Sequence, residues 1–312
     1  MCVRPIKAYR SSDGTLFFSS KPGTNVFRVP CGQCVECRLK RSRDWAARCM
    51  QEASQHERNC FITLTYRDAP ESLDYRDFQL FMKRLRKVAP GVRFYMCGEY
   101  GEEGSRPHFH ACLFGFDFDR VRFKGSLSRS VLLERLWPHG FSCVGDLTFE
   151  SAAYVARYVM KKVTGDAASP HYMVVDGDTG EIRYRKPEFC HMSLKPGIGG
   201  KWLDRYWTDV FPDGRMVVRG TLVNSPRYYD LQLRRRDRLN YDHLKYARGV
   251  ESQVYWRENL DKRLAVRETV VPAVLVGVVK VLVQEVEVAV VQDLAVVMAL
   301  LEICADRVNN RR

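Results

Sequence analysis

The 312-residue chain has no His-Glu-x-x-His and no Gly-x-x-x-x-Gly-Lys-Ser/Thr. Zinc-protease chemistry and ATP-driven motor action therefore lack their usual ligand and phosphate-cradling groups. The first ten residues, Met-Cys-Val-Arg-Pro-Ile-Lys-Ala-Tyr-Arg, lack the apolar core of a signal peptide. The longest uncharged stretch near the C-terminus, Thr269–Val279, falls well short of the ~18 residues expected of a membrane helix. There is no internal repeat. Eleven cysteines, an odd number, without an export signal point to a reducing compartment rather than a disulfide framework. These absences predict a cytosolic protein with no membrane partner.

What is present in excess is positive charge. Fifty Lys and Arg against 37 Asp and Glu leave a net +13. Residues 261–312 carry seven basic and seven acidic side chains and are neutral, so the whole excess lies in residues 1–260. A basic body with a neutral tail calls for a polyanionic partner, most simply nucleic acid.

Residues 1–30 read as irregular and strand-poor. A charged helix follows to about His56, with Leu39, Trp45, Cys49, Met50 and Ala53 at helical spacing. Phe61–Tyr66 reads as a buried strand. Asp74 is placed to cap a helix whose apolar face is Phe78, Phe81, Met82, Leu85 and Val88, ending before Pro90. Val92–Gly98 and His108–Phe116 read as strands joined by the turn Tyr100–Pro107, hence antiparallel. A short helix near Ser130–Trp137, a strand near Ser142–Phe149 and a helix capped by Ser151 and stopped by Gly165 complete an α+β pattern. The expected domains are an N-terminal extension (1–57), a catalytic domain (58–200), a basic aromatic extension (201–267) and a Val-rich tail (268–312).

Two clusters carry chemistry. On a strand, His108 and His110 point to one face and Phe109 to the other, and Glu99 on the partner strand can reach the histidines across the hairpin. Two imidazoles and a carboxylate with positions left open suit a catalytic Mg²⁺ or Mn²⁺ that takes its remaining ligands from phosphate and water. A pair of surface histidines on an edge strand is the plainer reading of His-x-His. Further on, Tyr154, Tyr158 and Lys161 share one helical stripe, with Arg157 beside it. A phenol with a reference pKa of about 10 attacks phosphorus only when a cation stabilises its phenolate. The plainer reading here is an amphipathic helix with tyrosines at its core edge, although Val155, Val159, Met160 and Val163 already supply apolar packing.

With these segments in view, the chain resembles the replication initiators of the HUH endonuclease class. Phe61–Tyr66 resembles their first motif, Arg106-Pro-His-Phe-His-Ala-Cys-Leu-Phe-Gly115 the second, and Tyr154-Val-Ala-Arg-Tyr158-Val-Met-Lys-Lys162 the third in its two-tyrosine form. Pro30-Cys-Gly-Gln-Cys-Val-Glu-Cys-Arg38 and Lys195-Pro-Gly-Ile-Gly199 resemble the gokushovirus branch of the Microviridae. The resemblance covers roughly residues 25–250. It implies a central antiparallel sheet flanked by helices, and a nicking and joining enzyme that starts rolling-circle replication of phage DNA in the bacterial cytoplasm. By this resemblance His108, His110 and Glu99 hold the metal, Tyr154 and Tyr158 alternate as nucleophiles on supercoiled and single-stranded phage DNA, and Lys161 assists. A host helicase would unwind the duplex. A transposase or relaxase of the same chemistry, or a non-catalytic single-strand-binding module, would use many of the same letters.

Cys31, Cys34 and Cys37 offer three thiolates at two-residue gaps. Zinc takes four ligands, so Cys2, Cys49, Cys60 or a histidine would have to complete the set. Residues 201–248 interleave cations and rings (Lys201-Trp202, Arg205-Tyr206-Trp207, Arg227-Tyr228-Tyr229, Arg234-Arg235-Arg236, Lys245-Tyr246), which suits phosphate neutralisation and base stacking, or a solvated helix face. Between Val270 and Val297, 14 of 28 residues are valine. Such a run is an exposed strand array or a segment outside the family's reading frame.

Overall fold

The structure is a computed structural model. It describes residues 2–258 except 3, 12–15, 21–24, 102–105, 125–126, 159–161, 164, 166–167 and 178. The Val-rich tail and Lys161 lie outside the described residues.

The chain opens with β1 (Ile6–Arg10), β2 (Leu16–Phe17) and β3 (Asn25–Val29), which form a small antiparallel sheet in the order β2-β1-β3. The expectation of an irregular, strand-poor N-terminus is thus corrected. The Gly, Pro and Ser scattered through this region separate strands too short to show a clear period. Next come α1 (Val35–Ala53), β4 (Asn59–Thr65), α2 (Tyr75–Val88), β5 (Arg93–Tyr100) and β6 (Pro107–Phe114). They are followed by β7 (Val121–Lys124), β8 (Leu127–Arg129), α3 (Val131–Leu136), β9 (Ser142–Gly145) and α4 (Phe149–Tyr158). Then α5 (Ala168–Tyr172) precedes a hairpin of β10 (Met173–Val175) and β11 (Ile182–Tyr184), and β12 (Phe189–Met192) returns to the main sheet.

The main sheet has seven strands in the order β12-β5-β6-β4-β9-β8-β7, flanked by helices. The registers of β12·β5, β5·β6, β6·β4 and β4·β9 are all antiparallel. This is the α+β architecture that the alternation of strands and helices implied. Because side chains alternate along each strand, the sheet has two buried faces. On one, Ile62, Leu64, Phe94, Met96, Phe109 and Leu113 pack with Phe78, Phe81, Met82 and Leu85 of α2 and with Trp137. On the other, Tyr95, Cys97, Cys112 and Phe114 pack with Ala46, Cys49 and Ala53 of α1 and Ala152, Val155 and Ala156 of α4. Each large apolar side chain buried this way contributes on the order of 1.5–3 kcal/mol.

Asp74 caps α2, its side chain accepting from the Arg76 N–H at 3.2 Å. Val88 lies past the buried stripe of α2 and is exposed, as is Leu39 on α1, so both drop out of the expected apolar faces. Gly140 sits where a Cβ would fall 2.3 Å from the Arg67 nitrogen and 2.7 Å from the Thr65 carbonyl oxygen. Only glycine lets the approach to β9 lie so close to the end of β4.

Small residues let α1 and α4 approach each other: the Ser42 hydroxyl donates to the Ala153 carbonyl at 3.0 Å. Trp45 of α1 stacks on Tyr95 of β5 with centroids 4.5 Å apart. Glu52, fully buried, accepts from Arg93 Nε and from the Gly199 N–H at 2.7 Å. Arg93 also donates to the Pro196 carbonyl at 2.7 Å, and Arg48 to the Ile198 carbonyl at 3.0 Å. The segment Lys195–Gly199 is therefore held by its backbone, against a charge network rooted in α1 and β5.

Beyond it lie α6 (Gly200–Arg205), α7 (Trp207–Val210), a hairpin of β13 (Arg215–Val218) and β14 (Thr221–Asn224), and two last helices, α8 (Arg227–Arg236) and α9 (Arg238–Glu258). The chain divides into two compact units. The first comprises Met1–Val121, Arg129–Val210 and Arg215–Pro226, and the second Arg122–Ser128, Phe211–Gly214 and the chain from Arg227 onward. Within the second, Arg248 pairs with Asp230 at 2.8 Å, while Arg234, Arg235, Arg236, Lys245 and Tyr246 are exposed.

Candidate metal and tyrosine site

Strand register assembles this site. In the β5·β6 pair, Glu99 stands directly opposite His108 and Cys97 opposite His110, and across β4 Thr63 stands opposite His110. The alternation that buries Phe109 on the α2 side sends His108 and His110 to the α1–α4 side.

Glu99 Oε1 lies 2.9 Å from His108 Nε2 and 3.1 Å from His110 Nε2. The Glu99 side chain is 1% exposed, His110 8% and His108 16%, so the cluster opens on the His108 side. Burial alone would push the Glu99 carboxyl up. Hydrogen bonds from His108 and His110, together with their positive charge, outweigh burial and hold it at about 2. The carboxylate is therefore ionised throughout the neutral range.

Outer contacts orient both rings. His108 Nδ1 lies 3.0 Å from the Arg106 carbonyl, which only accepts, so the Nδ1–H donates there. His110 Nδ1 lies 2.9 Å from the Thr63 hydroxyl. With its proton on Nδ1, a neutral His108 ring turns its Nε2 lone pair toward the Glu99 oxygen. That juxtaposition needs a second proton or a cation between them. Nitrogen and carboxylate donors converging in this way, each ring anchored from behind, fit a divalent metal. Thr63 was not singled out from the sequence. Its only signal there is its position in a strand of alternating residues.

α4 brings the first tyrosine to the cluster. The ring of Tyr154 meets His110 edge-on, centroids 5.1 Å apart, and rests against Phe61 at 6.4 Å. The helix begins earlier than expected. The Thr148 hydroxyl accepts from the Ser151 N–H at 3.2 Å, and the Ser151 hydroxyl accepts from the Thr148 N–H at 2.8 Å. Thr148 is thus the cap, and Ser151 is its reciprocal partner one turn in. Tyr158 is the last residue of α4, and nothing is described of its side chain. Residues 162 and 163 are not helical, so the helix stops before Gly165, which takes a φ of +76°. The Val163 N–H donates to the Tyr172 hydroxyl at 3.0 Å, and that hydroxyl donates to Glu188 at 2.5 Å.

Comparison with known proteins fits these residues into a family. Residues 59–163, which span every member of the cluster and both tyrosines, match the family of the replication-associated protein ORF2. Over 250 residues the chain is 34% identical to the replication-associated protein VP4 of Bdellovibrio phage phiMH2K, covering 73% of this chain and 75% of that protein. The chain belongs to the phage replication-associated proteins. Another of these proteins, ORF2 of Spiroplasma virus 4, is 29% identical over 288 residues, covering 79% of this chain and 85% of the relative. ORF4 of Chlamydia phage 1 is 30% identical over 228 residues, covering 67% and 54%. The gokushovirus-type resemblance read from the motifs is borne out, and a role in phage replication follows from family membership. No solved structure matches the chain. No described helix of this replication-associated protein is long and apolar enough to cross a membrane.

Proposed function

We propose that this replication-associated protein initiates rolling-circle replication by nicking and rejoining phage DNA through a phosphotyrosine intermediate. The observation that carries the reading is the edge-on contact of Tyr154 with His110, which sets a phenol beside a cluster of metal-type donors.

Glu99, His108 and His110 would hold the cation, Mg²⁺ or Mn²⁺, and when bound it would draw charge from a phosphoryl oxygen. The chain's own residues do the rest. The Tyr154 oxygen attacks the phosphorus, the bond from phosphorus to the 3′-oxygen breaks, and the phenol's proton ends on that 3′-oxygen. The 5′-phosphate stays esterified to tyrosine. One ester replaces another, so the reverse attack by a 3′-hydroxyl reseals the strand without ATP. Tyr158, one helical turn on, serves as the second nucleophile while the first product remains attached, and Lys161 steadies the phenolate. The exposed Arg and Lys groups of 201–248 neutralise phosphates of the single-stranded and supercoiled phage DNA, and nearby rings stack on unpaired bases. The site of action is the host bacterial cytoplasm, with strand separation supplied by a host helicase.

The test mixes purified protein with its own supercoiled circle and Mn²⁺ or Mg²⁺, denatures in detergent, and looks for protein covalently held on nicked DNA. A metal-dependent adduct that vanishes in Tyr154→Phe plus Tyr158→Phe supports the reading. DNA bound but never cut with either metal would replace it with a non-catalytic binding module.

A further inference from the structure

The second cysteine-rich motif is not used by the site above, and the fold completes it. β1 and β3 pair antiparallel with Ile6 opposite Val29. The chain just before Ile6 therefore lies beside the chain just after Val29. That register delivers Cys2 to Cys31, Cys34 and Cys37, which occupy the turn from β3 into the first turn of α1. All four Sγ atoms lie within 4.8 Å of one another, and all four residues are half-buried. Gly32, at a φ of +73°, forms the bend that curls this turn back on itself.

The sulfur geometry is that of metal ligands. A tetrahedral zinc with Zn–S bonds of about 2.3 Å sets neighbouring sulfurs about 3.8 Å apart. The Cys34 and Cys2 sulfurs are 3.8 Å apart. A disulfide needs about 2.05 Å and satisfies sulfurs only in pairs. Backbone N–H groups are already aimed at two of the sulfurs. Cys31 N–H donates to Cys2 Sγ at 3.2 Å and Cys34 N–H to Cys31 Sγ at 3.3 Å, an arrangement that stabilises thiolate charge. Cys34 caps α1 and Cys37 lies in its first turn, where the helix dipole favours negative sulfur.

We propose that Cys2, Cys31, Cys34 and Cys37 bind one Zn²⁺ in a closed tetrathiolate site that fastens the N-terminal sheet to the start of α1. The thiols give up their protons to solvent as the metal enters. Four protein ligands leave no open position, so the ion is structural. The clamp acts at one end of the helix whose middle backs α4, through Ser42 and Ala46. The proposal is independent of the nicking chemistry.

The test uses full-length protein expressed with added zinc and purified without chelator. Metal content should be one zinc per chain in the wild type, should fall to background in Cys31→Ser plus Cys34→Ser, and should persist in Glu99→Gln plus His108→Gln. Zinc that survives the cysteine pair, is lost only with the Glu99–His108 pair, or is absent from the wild type overturns the proposal. Should the cysteine variant fail to fold, X-ray absorption at the zinc edge of the wild-type protein decides. A sulfur-only shell near ~2.3 Å supports the site, and nitrogen or oxygen ligands refute it.

Discussion

Tyr154 stands edge-on to His110, their ring planes at 84° and centroids 5.1 Å apart, so the phenol and the histidine share one small space. Replacing Tyr154 by Phe keeps the ring and its contact with Phe61 while removing the oxygen. Stability should change by less than about 1 kcal/mol. Covalent adduct formation should fall, and with Tyr158→Phe added it should disappear. Chemical denaturation and the detergent-resistant adduct assay read the two effects separately.

Thr63 supports His110 from behind, its hydroxyl 2.9 Å from Nδ1. Thr63→Val keeps the β-branched shape and deletes that contact. Mn²⁺ affinity, measured by calorimetry, should weaken about 10–100-fold, the usual cost of losing an outer-shell partner. Unchanged affinity would mean that the ring is oriented by packing alone.

Glu52 and Arg93 form a buried pair that also holds the Gly199 N–H. Glu52→Ala strands the Arg93 charge and should cost about 3–5 kcal/mol in urea denaturation. Adding Arg93→Met should recover part of that loss, because the stranded charge is removed with its partner.

Tyr172 anchors the chain just past α4. Its hydroxyl is pushed up to about 12, first by burial and then by the Glu188 carboxylate that accepts its hydrogen bond. A folded-state value raised above the unfolded value of about 10 means that its contribution is fully present below pH ~10 and is lost as pH rises through about 12. Tyr172→Phe should flatten the stability curve over that alkaline window. A curve of unchanged slope would remove Tyr172 as a contributor.

What local spacing makes legible is considerable. Alternation along β6 put both histidines on one face, and nine residues of separation let Glu99 meet them across a hairpin. Helical spacing marked α1, α2 and α4, and the capping side chain of α2 was visible as Asp74. These are short-range facts, set by the periods of strand and helix. The cap of α4 was misplaced by three residues because Thr148 and Ser151 are both cap-forming types, and only the reciprocal bonds distinguish their roles.

Tertiary structure decided the rest, because the partners are far apart in the chain. Cys2 reaches Cys34 across 32 residues through the pairing of β1 with β3. Thr63 reaches His110 across 47, and Glu52 reaches Gly199 across 147. No periodicity spans such distances. The residues that could supply chemistry were thus set by the sequence itself, whereas the side chains that orient and close each cluster were chosen by strand register and helix packing.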